Sequence, residues 1–153
     1  MKAYNDALAS FMEKKAEWMN RELSIPQEMY FTPEDRAEIM GWDEEEAREI
    51  WTRIRENVSH HQCAGLRYEL CPFCHKNGYK HHDCGVTIKN QSCEICGYGY
   101  RHGQCTDQKS GQSQYRKILK AFEDERVDMY RFFSTTYYHE LIDELEKKMV
   151  GAA

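Results

Sequence analysis

Residues 60–105 read HHQCAGLRYELCPFCHKNGYKHHDCGVTIKNQSCEICGYGYRHGQC, and this stretch decides how the chain is organised. Three segments of the form H-x2-C recur every 21 residues: His60-His61-Gln62-Cys63, His81-His82-Asp83-Cys84 and His102-Gly103-Gln104-Cys105. Between them stand Cys71-Pro72-Phe73-Cys74 and Cys93-Glu94-Ile95-Cys96. Two ligands at this spacing clasp one ion while the intervening backbone N–H groups turn toward the sulfurs, and tetrahedral zinc takes two such knuckles. Cys71, Cys74, Cys93 and Cys96, at C-x2-C-x18-C-x2-C, fall within the spacing expected of a four-cysteine zinc site. Gly78, Gly97 and Gly99 follow the knuckles and suit the tight turns such a site needs. Gly85-Val86-Thr87-Ile88-Lys89 suits a short β-strand.

A second zinc is expected from the outer knuckles: Cys63 with His60 or His61, joined to His102 and Cys105. His81, His82 and Cys84 are left over as a substitute outer knuckle, a third partial site, or exposed side chains. The segments Cys71-Pro72-Phe73-Cys74-His75-Lys76-Asn77-Gly78 and Cys93-Glu94-Ile95-Cys96-Gly97-Tyr98-Gly99 resemble the cysteine-rich domain of DnaJ-type chaperones, where outer knuckles pair across inner ones. Here the outer knuckles carry His, the glycines are out of phase with a C-x-x-C-x-G-x-G repeat, and no J-domain signature is present. The same residues are equally similar to a zinc ribbon, whose second knuckle also reads C-x2-C-G. Both resemblances cover the central 45 residues or so and imply a zinc-held architecture, not a chaperone activity. Cys71-x-x-Cys74-His75 also has the spacing of a c-type haem attachment, but the downstream C-x2-C favours zinc.

On either side the pattern is helical. Tyr4, Leu8, Phe11, Met12, Met19 and Leu23 recur at helical spacing, and Ser24-Ile25-Pro26 ends that helix. Thr32 and Pro33 start a second helix as N-cap and first helical residue, and Gly41 closes it. Asp43, with Glu46 three residues on, caps a third helix whose apolar stripe is Ala47, Ile50, Trp51, Ile54 and Val58. Residues 32–51 have a helix-turn-helix outline, but Asp43-Glu44-Glu45-Glu46 opens the second helix with charges that repel phosphate, so an αα-hairpin is expected. After a polar linker at 106–114, helical spacing resumes from Tyr115 to about Met149, with a break expected at Ser134-Thr135-Thr136. The aromatic cluster Tyr130, Phe132, Phe133, Tyr137 and Tyr138 is expected in the core. His139-Glu140-Leu141-Ile142-Asp143 begins like a zincin helix, but Asp143 stands where the second His belongs. The fold class expected is therefore mainly α: a bundle of N-terminal (1–59) and C-terminal (107–153) helices with a small β zinc-knuckle module (60–106) inserted.

Composition places the chain among proteins with a core, with 41% hydrophobic and 31% charged residues. No apolar run approaches the roughly 20 residues of a membrane span, and the first residues lack a secretory signal's apolar stretch, so a cytoplasmic location is expected. There, seven cysteines point to metal rather than disulfides. The net charge of −5 is unevenly spread: −6 over residues 1–59, +5 over 60–120 and −4 over 121–153. A zinc-binding regulatory protein is expected, with Lys76, Lys80, Lys89, Arg101, Arg116, Lys117 and Lys120 meeting nucleic-acid phosphates. The alternatives are a protein-interaction adaptor that docks a protein partner through acidic helices, and a metal-dependent nuclease using His81 and His82.

Overall fold

A computed structural model describes residues 2–76, 97–102 and 113–151. The described chain is mainly helical. Its elements are α1 (Ala3–Leu23), a 3-10 turn (Gln27–Met29), α2 (Pro33–Met40), α3 (Glu44–His61), a 3-10 turn (Tyr68–Leu70), α4 (Pro72–Lys76), α5 (Gly97–His102), α6 (Gln114–Asp124), α7 (Met129–Phe132) and α8 (Thr135–Gly151). No β-strand occurs among the described residues. The strand expected at 85–89, and with it the β character of the module, lies outside them.

The first three helices begin and end where their local chemistry dictates. Ser24 takes a left-handed conformation (φ 57°), its N–H closes back on Asn20 O and the Ile25 N–H on Met19 O, after which Pro26 prevents continuation. Thr32 and Asp35 form a reciprocal capping box: Thr32 N–H donates to Asp35 Oδ2 at 2.8 Å, and Asp35 N–H to Thr32 Oγ1 at 3.2 Å. Asp43 caps α3 by accepting from Glu46 N–H at 3.2 Å. All five residues of the α3 stripe are buried.

α1 is the central element and packs against α2, α3 and α8. Phe11 meets Trp51 edge-on at 6.1 Å and Tyr138 at 5.7 Å. Trp18 stacks on Phe132 at 3.9 Å and Tyr137 at 4.4 Å, with Phe133 edge-on at 5.5 Å. The aromatic cluster thus serves as core, except Tyr130, which is 57% exposed. Truncating any of the fully buried rings Phe11, Trp51, Phe133 and Tyr138 to Ala should cost on the order of 3–5 kcal/mol.

The C-terminal helices divide earlier than the sequence suggests. α6 ends at Asp124, Arg126 adopts φ 56°, and Asp128 caps α7 by accepting from Tyr130 N–H at 2.9 Å. A second break at Phe133–Ser134 precedes α8. The loop after α3 is held against these helices: Gly65 N–H donates to Phe133 O at 2.7 Å, Tyr115 Oη–H to Leu66 O at 2.7 Å, and Tyr138 Oη–H to Gly65 O. Leu66, Leu70, Phe73 and Tyr98 join the same buried cluster as the helices, so the described parts of the Cys/His-rich segment share the bundle's core.

Candidate metal centre

Cys71 follows the 3-10 turn, and Pro72 starts α4, so both inner-knuckle thiols Cys71 and Cys74 sit on one helical turn, half-buried. Cys71 O accepts from His75 N–H at 3.2 Å. The Cys71 sulfur accepts hydrogen bonds from the Cys74 side chain and from the backbone N–H groups of Cys74 and Phe73. The Cys74 hydrogen bond does most to pull the Cys71 thiol down to about 7; burial opposes it, and the backbone donors and the Lys15 charge add to it. Thiolate, the form that binds metal, is thereby favoured near neutrality. Cys93 and Cys96 lie outside the described residues, as do Cys105, His81, His82, Cys84, Lys80 and Lys89. Among the described residues, no three His, Cys, Asp or Glu gather in a group able to hold a metal.

Aromatic packing fixes where the clasp sits. Phe73, fully buried between the two cysteines, meets Trp42 edge-on at 5.4 Å and Tyr98 at 4.8 Å. Tyr98 lies two residues beyond Cys96, so this contact joins the chain flanking the first inner knuckle to the chain flanking the second. His75 is buried, with Nε2 2.8 Å from Glu69 O and Nδ1 accepting from Arg53 Nε–H at 3.3 Å. Burial holds its pKa down to about 4, against the Glu69 carbonyl and with help from the Arg53 charge, so the ring is neutral. Both nitrogens are engaged, which leaves His75 unsuited to ligate haem without rearrangement.

The outer-knuckle residues stand in other settings. His60 and His61 occupy the last turn of α3, exposed. Cys63 is buried just past it, its N–H donating to Asn57 O at 3.1 Å, and burial followed by the Glu69 charge pushes its thiol up. His102 is buried against α2: Nε2 is 2.7 Å from Asp35 Oδ2, and Nδ1 is 2.6 Å from Gln114 Oε1 and 3.0 Å from Met29 O. Ligation by His102 would require one of these bonds to be surrendered. Burial pushes the Asp35 carboxyl up, but His102, Thr32 N–H and Arg101 together outweigh it and hold the group below the usual range. Nothing in the amino-acid pattern marks Asp35 as an anchor beyond its place in the first turn of α2.

The expected phosphate-binding cations are partly committed to carboxylates. Arg101 bonds Asp35 at 2.6 Å and Glu38 at 2.7 Å, Lys76 pairs with Glu46 at 3.1 Å, and Lys120 pairs with Asp124 at 3.1 Å. Lys117 is exposed, and Arg116 Nε is buried with no hydrogen-bond partner among the described residues. An open groove beside Trp51 is lined by Arg48, Arg53 and Arg55, which bond Glu45, His75 and Glu146 respectively. His139, Glu140 and Asp143 are exposed on α8. No helix among the described residues is long and apolar enough to cross a membrane. Compared with known protein families, curated proteins and solved structures, the chain matches none of them.

Proposed function

We propose that this chain is a zinc-binding regulatory protein without catalytic activity, in which Cys71, Cys74, Cys93 and Cys96 share one structural ion. The observation that carries the reading is the Phe73–Tyr98 contact at 4.8 Å. It brings together the residues flanking both inner knuckles, while donors from Cys74 and Phe73 already converge on the Cys71 sulfur. Soft thiolates in this number suit zinc, and the ion would tie the central segment to the helical bundle.

For the partner, the geometry favours a protein. Lys76 and Arg101 are ion-paired to α2 and α3, whereas Glu34, Glu44, Glu49 and Glu56 are exposed along those two helices. The chain would act as an adaptor presenting an acidic helical face. Nucleic-acid binding is the second reading, supported by the net +5 over residues 60–120 and by exposed Lys117.

Metal analysis of the untagged protein tests the first part: zinc is expected in the parent and one ion fewer in Cys71→Ser. Parent protein that is metal-free yet folded would overturn it. Titration with DNA and RNA at several salt concentrations separates the partners. A log–log salt slope of about 0.7 to 0.9 per phosphate contact identifies nucleic acid, and no measurable binding at low salt favours the adaptor.

A further inference from the structure

α6 carries its charges in the order that least suits a helix. Arg116 and Lys117 stand among its first four residues, Lys120 follows one turn on, and no acidic residue occurs in it before Glu123. Glu123 and Asp124 end the helix, and Glu125 is its C-cap. The partial positive charge of a helix N-terminus disfavours cations, and the negative C-terminus disfavours carboxylates. α3 obeys that rule, opening with Glu44, Glu45 and Glu46 and closing with His60 and His61. α1 obeys it too, with Asp6 in its first turn and Arg21 in its last. A segment that breaks a local rule with no gain inside the fold points to a gain outside it.

Around these three cations the described residues supply no such gain. Arg116 is half-buried, and its Nε is buried with no hydrogen-bond partner. Neither Arg116 nor Lys117 has a carboxylate partner among the described residues. Lys120 reaches Asp124 at 3.1 Å, but both side chains are largely exposed, and Lys ahead of Asp at i, i+4 is the weaker order. A buried donor without an acceptor is rare, and a guanidinium is met best by an oxyanion that takes two of its N–H groups. The apolar side of α6 is already taken up by the bundle: Ile118 and Phe122 are buried, and Tyr115 Oη–H donates to Leu66 O at 2.7 Å. The large hydrophobics exposed among the described residues are Tyr130 and Val150, neither of them on α6. A protein interface is built around apolar and aromatic anchors, and a membrane-bound helix inserts an apolar face. The outer face of α6 has neither. It offers positive charge alone, which suits a chain of phosphates.

We propose that Arg116, Lys117 and Lys120 form the docking face for the phosphate backbone of a nucleic acid. This rests on the second reading above, to which it gives a location, and it is independent of the zinc site. Arg116 is held by no side-chain bond, so it can turn outward and bring Nε and a terminal N–H to one phosphate together. Lys117 is already exposed, and Lys120 exchanges one solvated carboxylate for a phosphate. The bound anion also answers the positive end of the helix, which removes the conflict in the charge order of α6. Contacts made to phosphates carry no base information, so this face binds without sequence preference.

The test measures binding of the full chain to a labelled single strand and to a duplex, both of mixed sequence, by fluorescence anisotropy from about 50 to about 200 mM salt. Three phosphate contacts give a log–log slope of about 2 on the single strand and about 3 on the duplex, a fall in affinity of roughly 20- to 40-fold over that range. Lys117→Gln and Arg116→Gln are each expected to flatten the slope by about 0.7 to 0.9. Arg131→Gln, which removes a cation 91% exposed on α7, is expected to leave it unchanged. Urea stability of Lys117→Gln is expected to hold or rise, since a cation has left the first turns of the helix. An unchanged slope in both α6 variants overturns the proposal, as does an equal loss in Arg131→Gln, which would mark general charge and not this face. A fall in the stability of Lys117→Gln that matches its loss of affinity also overturns it, by making the lysine structural. Vesicles containing anionic lipid, or polyglutamate, bound more tightly than either nucleic acid would assign the face to that partner and overturn it as well. A parent with no affinity for either nucleic acid at low salt overturns the second reading itself and this inference with it, a result distinct from the others.

Discussion

Replacing Asp35 with Ala should detach α5 from α2, because one buried carboxylate organises three separate donors. Asp35 is 0% exposed and accepts from Thr32 N–H, Arg101 Nε–H and His102 at 2.8, 2.6 and 2.7 Å. Loss of the capping box accounts for about 1 kcal/mol. The stranded partners account for more, but unequally. Arg101 is 23% exposed and keeps Glu38, so water and that carboxylate recover most of its loss. His102 is 2% exposed and has no such access to water. Leaving it without its acceptor adds about 2–3 kcal/mol, for a total of about 3–4 kcal/mol. Asp35→Asn keeps an acceptor for the cap but loses the charge, and should cost about half as much. Urea unfolding followed by circular dichroism gives both values, and amide exchange at residues 97–102 reports the detachment. A loss below about 1 kcal/mol for Asp35→Ala, with exchange at 97–102 unchanged, would refute the anchoring role.

The same carboxyl gives a pH prediction. Its folded pKa lies below the ordinary value, so its contribution is complete above the unfolded carboxylate range and is lost as pH falls through that range toward the folded value. Acid titration of stability should flatten on this limb in Asp35→Asn. Gly65→Ala should destabilise by about 1 kcal/mol or more, since φ is +76° and the new Cβ would stand 3.0 Å from the Tyr130 ring. Phe73→Ala should cost about 3–5 kcal/mol and weaken zinc retention, measured by chelator competition. Unaltered retention would remove the Phe73–Tyr98 contact as support for converging knuckles. Cys93→Ser should release zinc and leave the 60–105 segment open to proteolysis, because metal binding and folding are coupled; native protease resistance would count against that ligand.

The bundle was legible where a local rule had no competitor. Thr32-Pro33 and Asp43 mark helix starts by capping chemistry alone, and the α3 stripe follows from a 3.6-residue period. The break expected at Ser134-Thr135-Thr136 is present at Phe133–Ser134, but an earlier one after Asp124 has no such signal. In fact Arg126 takes positive φ and Asp128 caps a single-turn helix, neither of which periodicity can reveal. The spacing of Cys71 and Cys74 suggests a knuckle but says nothing of its setting. Phe73 lies between two cysteines, where sequence suggests a turn, yet it is wholly buried. Lys15 was invisible as well. It occupies an inward-facing position on α1 with a residue type normally read as solvent-facing, and only the convergence of Phe11, Tyr30 and Tyr138 explains its burial.

Charge segregation along the chain has an intramolecular outlet. The positive centre and the negative N-terminal arm, which read as surfaces for separate partners, meet each other: Arg101 with Asp35 and Glu38, Lys76 with Glu46. The same pairing holds both ends of the cysteine-rich segment, since Lys76 follows the first inner knuckle by two residues and Arg101 follows the second by five. Arg53 of α3 adds a third tie through His75. A phosphate partner would have to compete with carboxylates already at 2.6–3.1 Å from these cations, one of which, Asp35, is fully buried. Such competition is costly for Arg101 and milder for Lys76, whose pair with Glu46 is partly solvated. A nucleic-acid surface on this protein must therefore rest chiefly on other cations, and loss of Lys117 should weaken such binding more than loss of Arg101, provided the latter variant stays folded.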